Sequence, residues 1–399
     1  MELPPLSLYV HIPWCVRKCP YCDFNSHVAT GVNSHVAIGV NAQTASDSGL
    51  PESDYIDCLL QDLAQDAHLV QGRPIHSIFF GGGTPSLFGP DSFARLLDQL
   101  EQRIGFESDI EITLEANPGT AEQQKFSGFR EAGINRLSIG VQSFNGAHLQ
   151  KLGRIHSSDE ALRAVEMART AGFDNLNLDL MHGLPDQTPE QACADLTAAI
   201  DCNPEHLSWY QLTVEPNTEF YSRPPLLPED DLLADIQDAG EALLANAGFE
   251  HYEVSAYAQP GKPSRHNLNY WRFGDYLGLG AGAHGKITDA NHHRIERRWK
   301  TRQPNYYLDP ERDFCAGVRV IDSDDLPLEF MMNALRLVKG VETSLFRQRT
   351  GLSPEVLQPA LQKLQQQELL SSSGERLQTT SLGMRYLNAA VGEFMRENQ

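Results

Sequence analysis

Six short segments rich in apolar and β-prone residues alternate with amphipathic stretches over the first 250 positions, and no other feature restricts the fold as much. LSLYV (6–10), HSIFF (76–80), DIEITLE (109–115), NRLSIGV (135–141), NLNLDLM (175–181) and HLSWYQLTV (206–214) read as strands. Residues 54–70, 91–104 and 158–171 carry an apolar stripe at helical spacing between them. Such alternation builds βα units around a parallel sheet, so the class is α/β. Gly133, Gly172 and Gly248 each follow an alanine, close a helical stretch and lead back into apolar sequence. Their separations, 39 and 76 residues, fit one and two βα repeats. Six units are too few for a closed eightfold barrel, which leaves an open barrel or a doubly wound sheet.

Composition bounds the rest. The chain has 399 residues, 41% apolar and 21% charged, enough to fill a core. No run approaches ~18 apolar residues, so no membrane-spanning helix is expected. A net charge of -21 disfavours nucleic acid and anionic lipid as partners. The charge is uneven: residues 326–399 hold eight Lys or Arg against seven Glu and no Asp, so the tail is compositionally a separate piece. Its helical pattern, a polar turn (SSSGERLQTT) and a last helix suggest a small winged-helix-like domain. Near-neutral charge points that domain toward packing on protein instead of DNA. Three parts follow: 1–255 as the partial barrel, 256–325 as a connector without clear periodicity, and 326–399 as the winged-helix-like domain.

The N-terminus MELPPLSLYVHIPWC lacks a basic stretch followed by an apolar one, which predicts a cytoplasmic protein. Seven cysteines, an odd number, do not suit a disulfide framework in such a chain. Residues 26–41 read SHVATGVN-SHVAIGVN, a tandem repeat with one change. His27 and His35 could bind a ligand there, but a short duplication in polar sequence reads first as an extended flexible loop.

Cys15, Cys19 and Cys22 sit within eight residues, just after the first strand. Three thiolates on a loop can converge on one metal centre. Zinc remains open on spacing alone, although structural zinc usually takes four ligands and no second pair is present. A [4Fe–4S] cluster with one open iron is the other reading. Gly81-Gly82-Gly83-Thr84-Pro85 follows the second strand and faces the same end of the sheet. Consecutive glycines there let a ligand lie against the backbone. Glu115, Gln142, Arg154 and Asp179 then mark the ends of later strands or the loops after them. Carboxylates can hold ribose hydroxyls or an ammonium group, and an arginine a carboxylate.

The series Tyr9-x-His11-Ile12-Pro13-x-Cys15-x3-Cys19-x2-Cys22, GGGTP, LEANPGT, GVQSF, LGR and DLMHGLP strongly resembles radical S-adenosylmethionine (SAM) proteins. Within them it resembles the oxygen-independent coproporphyrinogen III oxidase (dehydrogenase) group, over nearly the whole chain. The resemblance implies a partial (βα)6 radical SAM barrel, with Cys15, Cys19 and Cys22 holding a [4Fe–4S] cluster whose fourth iron is open to S-adenosylmethionine. It implies that Tyr9, Tyr21, Gly82, Gly83, Thr84, Glu115, Gln142, Arg154 and Asp179 contact S-adenosylmethionine.

The dehydrogenases of this group carry another cysteine after the third cluster ligand and a longer segment before the first. Here Asp23-Phe24 follows Cys22, and fourteen residues precede Cys15. Both departures resemble the HemW-type heme chaperones, a branch also marked by HNxxY, present as His266-Asn267-Leu268-Asn269-Tyr270. That resemblance implies heme binding with His266 as axial ligand and delivery to apo-heme proteins of the respiratory chain. Any membrane association would then be peripheral, through a partner. Lys286, Arg294, Arg297, Arg298, Lys300 and Arg302 form a basic island that reads either as a propionate site or as a solvated face. The alternatives are coproporphyrinogen III dehydrogenation and radical methyl transfer. No residue of its own supports the latter.

Overall fold

The computed structural model describes residues 1–29, 49–371 and 374–395. Its centre is a run of six parallel strands: β1 (Leu6–Ile12), β2 (Ile75–Gly82), β3 (Phe106–Ala116), β4 (Arg136–Gln142), β5 (Leu176–His182) and β6 (His206–Gln211), paired in chain order. Each strand read from the sequence overlaps one of these. Strand β1 is buried along nearly its whole length, as parallel strands covered on both faces are. Leu8, Val10, Ile78, Phe80, Leu137 and Ile139 belong to the main apolar core, with Phe93 of helix α1 (Pro90–Arg103) set edge-on to Phe80.

Helix boundaries follow the local chemistry. Helix α2 (Ser158–Thr170) starts at a capping box between Ser157 and Glu160, and α3 (Pro189–Asp201) at one between Thr188 and Gln191. Gly172 ends the first of them at φ 86°.

The opposite face of the strands is polar. Positions two apart meet across it: Ser7 with Ser77, Tyr9 with Phe79, Ser138 with Asp179, and Asn177 with Ser138, His206 and Ser208. This polar stripe lines the interior of the partial barrel.

The segment without evident periodicity extends the same sheet. Strand β7 (Glu250–Glu253) and β8 (Ala256–Ala258) close one edge, antiparallel after β6. On the other side β9 (Asp275–Leu279) pairs parallel with β1, and β10 (His284–Asp289), β11 (Arg294–Lys300) and β12 (Cys315–Val320) follow antiparallel. These short antiparallel strands, rich in Arg and Lys, lack the apolar alternation that marks a strand in sequence.

Helix α4 (Arg265–Trp271), which carries HNLNY, plugs the barrel at the N-terminal ends of the strands. The tail then packs below it. Helix α5 (Leu326–Ala334), α6 (Thr343–Thr350) and α7 (Gln358–Gln366), with the strand pair Val341–Glu342 and Arg376–Leu377, share a core with Phe273, Ile295 and Ile321. Among the described residues, no helix is long and apolar enough to cross a membrane.

The basic island is neither free nor solvated as a block. Lys286 pairs with Asp275, Lys300 with Asp62 and Asp66, Arg298 with Asp66 and Glu296, Arg297 with Glu329, and Arg294 with Asp289 and Glu296. Those cations are consumed in joining β10 and β11 to their neighbours.

Candidate active site at the barrel mouth

The cysteine loop leaves β1 and lies over the C-terminal ends of the strands. Its backbone is fixed from both sides: Gly83 and Thr84 donate their N–H groups to Ile12 and Trp14, and Ala29 donates to Cys15. Glycine is required where the second turn meets this loop. Gly82 has φ 116°, and a Cβ there would lie 2.5 Å from the His11 ring. A Cβ at Gly83 would lie 2.5 Å from the Trp14 carbonyl oxygen.

All three clustered cysteines are free thiols. Burial pushes the Cys15 thiol up to about 11, with the Thr84 hydroxyl opposing that shift. Thr84 Oγ1 donates to Cys15 Sγ at 3.5 Å, and Arg154 Nη1 to Cys19 Sγ at 3.6 Å. These two donors are themselves joined. Arg154 Nη2 donates to Asn117 Oδ1 at 2.6 Å, and Asn117 Nδ2 donates to Thr84 Oγ1 at 3.1 Å. One hydrogen-bonded chain therefore runs Cys19–Arg154–Asn117–Thr84–Cys15. Asn117 was missed in the sequence reading, although it stands two residues after Glu115 in the same LEANP segment.

Among the described residues, no three His, Cys, Asp or Glu side chains are gathered around the position of a single metal ion. A lone zinc would require thiolates about 2.3 Å from one centre. In an iron–sulfur cluster each thiolate takes its own iron, so the thiols need not share one coordination sphere. Three free thiols on one loop, with hydrogen-bond donors aimed at two of them, fit a thiolate-bound cluster.

The other rim residues converge beside this loop. Glu115 is half-buried, accepts from the Gly82 N–H at 3.2 Å, and is pushed up to about 8 by desolvation and then by Asp179. Asp179 is likewise raised by burial, against hydrogen bonds from Ser138 and Asn177. Two half-buried carboxyl groups that form no ion pair among the described residues make a site for a ligand bearing positive charge or hydroxyl donors. Arg154 Nε is also buried without a partner. Gln142 adopts φ 68° at an irregularity between β4 and β5, and Tyr210, a second residue the sequence reading missed, donates its hydroxyl to Gln142 Oε1 at 2.8 Å. Tyr9 donates to His11 Nδ1 at 2.9 Å, while Tyr21 stacks obliquely on Phe220 beside Cys19.

His266 lies elsewhere. It is 2% exposed at the base of the barrel, with Nδ1 3.3 Å from Ser77 Oγ and Nε2 2.8 Å from the Tyr270 hydroxyl. Burial lowers it to about 3, so the ring is neutral. Both nitrogens are already engaged. The repeat over 26–41 falls, from Thr30 onward and including His35, outside the described residues.

Comparison with known proteins places this geometry. A profile of the Radical SAM superfamily matches residues 9–197, and one of the HemN C-terminal domain matches 321–386. The heme chaperone HemW of Escherichia coli (strain K12) is 48% identical over 100% of both chains. The protein of the same name from Haemophilus influenzae is 49% identical over 99% of both. Among solved structures, coproporphyrinogen III oxidase (HemN) from Escherichia coli superposes with a TM-score of 0.79 at 25% identity, covering 98% of this chain and 90% of that one.

Proposed function

We propose a function for a chain that belongs to the radical SAM superfamily and, within it, to the HemW family: it is a heme chaperone that binds heme and passes it to apo-proteins, respiratory enzymes first among them. Cys15, Cys19 and Cys22 would hold a [4Fe–4S] cluster, and S-adenosylmethionine would bind beside it. Bound there, the cluster supplies single-electron chemistry to a sulfonium ligand.

The chain's own residues bind and orient. Glu115 and Asp179 receive the cationic and hydroxyl groups of S-adenosylmethionine. Gly82 and Gly83 let it lie against the backbone, and Gln142, Tyr9 and Tyr21 flank it. Thr84 and Arg154 stabilise the thiolate charge through the chain described above. Nucleic acid is not a partner in this reading. The protein works in the cytoplasm and reaches a membrane only through a client, since a net charge of -21 repels anionic lipid.

The observation that carries the choice of chaperone over dehydrogenase is Asp23-Phe24 after Cys22, where the dehydrogenases have a further cysteine. The test is an anaerobic incubation of reconstituted protein with reductant, S-adenosylmethionine and coproporphyrinogen III, read by mass spectrometry, alongside hemin binding and transfer to an apo-heme protein. We expect one hemin per chain, transferable, and no decarboxylated porphyrinogen. Product above that of a Cys19→Ser control would make the protein a dehydrogenase.

A further inference from the structure

The base of the barrel offers heme little room. Its cavity, between α4 and the tail, has a volume of about 170 Å³ and is lined by Tyr270, Trp271, Tyr276 and Arg297 among others. Sites for drug-sized ligands start at about 300 Å³. The His266 ring above it would have to leave both Ser77 and Tyr270 to reach a metal.

The outer lip of the mouth is different. Phe24 is 64% exposed, Ile155 60%, Tyr221 59% and Leu226 79%. They belong to segments that meet around Pro20. A Cβ at Gly153 would lie 2.9 Å from Pro20 Cδ, and the Phe220 N–H donates to the Pro20 carbonyl. Leu152, Phe220 and Leu227, next to or near the exposed residues in sequence, form a small apolar cluster with Tyr21. The lip is therefore the outer surface of a packed unit. Exposed apolar side chains on adjoining segments are what a binding surface is made from.

Unpaired cations border it. Arg17, Lys18 and Arg302 are exposed and form no ion pair among the described residues, in a protein otherwise rich in acid. Lys18 Nζ donates to the Phe24 carbonyl at 3.3 Å, and Arg302 Nε to Asn25 Oδ1 at 3.2 Å. The same Asn25 oxygen lies 3.2 Å from His27 Nε2. His27 Nδ1 has no hydrogen bond among the described residues. Burial, then Lys18 and Arg302, lower the pKa of this ring, which favours the neutral imidazole that metals bind.

We propose that heme docks on this lip, its macrocycle against Phe24, Ile155, Tyr221 and Leu226, its propionates on Lys18, Arg302 and Arg17, and His27 as the imidazole facing its iron. A planar apolar dianion matches an apolar surface edged by free cations, which an acidic protein lacking flat apolar area would match less well. The inference rests on the heme-chaperone reading and deepens it, placing the cargo beside the cluster.

The test titrates the full, cluster-loaded chain with hemin, followed at the Soret band. Phe24→Glu/Ile155→Glu should weaken binding tenfold or more while iron content per chain stays at the wild-type level. Lys18→Ala/Arg302→Ala should weaken hemin but leave hemin dimethyl ester unaffected. His27→Ala should shift the Soret maximum and change the ferric electron-paramagnetic-resonance signal of bound hemin, whereas His266→Gln should keep both. Wild-type affinity in the lip variants, or a changed Soret maximum and ferric signal in His266→Gln alone, would overturn the location while leaving the chaperone reading intact. Lip variants that keep hemin but no longer accept electrons from an acidic protein donor would make this a protein-docking surface instead. Failure of the wild type to bind hemin at all would overturn both readings.

Discussion

At the barrel mouth Glu115, Asp179 and Arg154 are half-buried with no ion pair among the described residues, and Arg154 Nε is buried without a partner, whereas at the base His266, Asn269 and Asp275 are buried with partners around them. Asp275 alone accepts from Arg73, Lys286 and both the backbone and hydroxyl of Thr288. Asn269 Nδ2 donates to Ser7 Oγ and to the Asp275 carbonyl, both at 2.8 Å. The HNLNY segment thus ties β9, β1 and β2 together, while the rim residues are poised around an opening. A buried polar group already satisfied holds architecture together, and one left short of partners awaits a ligand.

Two substitutions would separate these roles. Cys19→Ser should abolish the iron and brown absorbance gained on anaerobic reconstitution, while the unfolding free energy of the metal-free protein changes by less than about 1 kcal/mol. Asp275→Asn should do the reverse. It strands Lys286 in the interior, costing roughly 3–5 kcal/mol in chemical denaturation, with iron per folded chain unchanged. The native stabilisation from Asp275 has a pH signature. Burial alone would raise this carboxyl, but Lys286 and Arg73 outweigh it and hold it below its ordinary range. Its contribution is therefore complete above the unfolded value of about 3.9 and is lost as pH falls through the lower folded value. A stable Asp275→Asn variant with impaired cluster loading would reverse the assignment of the two ends.

The contrast also explains what the sequence could and could not reveal. The six barrel strands were legible because their outer faces are apolar and their helices end at glycines such as Gly133 and Gly172. The rim was legible because its residues sit at strand ends in short motifs. Asn117 and Tyr210 were within reach: one shares a motif with Glu115, and the other continues the alternation His206, Ser208, Tyr210 that marks an inward-facing stripe. The base was harder. His266 in HNxxY looks like a free imidazole in one dimension, and only the fold brings Ser77, nearly 190 positions earlier, against it. The basic island misled for the same reason, since Asp62 and Asp66 lie on a distant helix.

The smallest effect expected at the mouth is also the most specific. Burial and the neighbouring Asp179 raise Glu115 to about 8, with the Gly82 N–H opposing them. Its folded pKa exceeds the unfolded one, so the ligand-free protein holds this proton at pH 7, and its stability declines as pH rises between about 4.5 and 8. A ligand that places a cation or hydroxyl donors on Glu115 favours the carboxylate and expels the proton. Calorimetry of S-adenosylmethionine binding to the reconstituted protein, in buffers of different ionisation enthalpy, should show the wild type releasing more protons than Glu115→Gln at pH 7, the difference shrinking toward about pH 9. Equal release by the two proteins at pH 7 would mean that Glu115 stays protonated in the complex and acts as a hydrogen-bond donor, so the mouth would be selecting for acceptors on its ligand instead of positive charge.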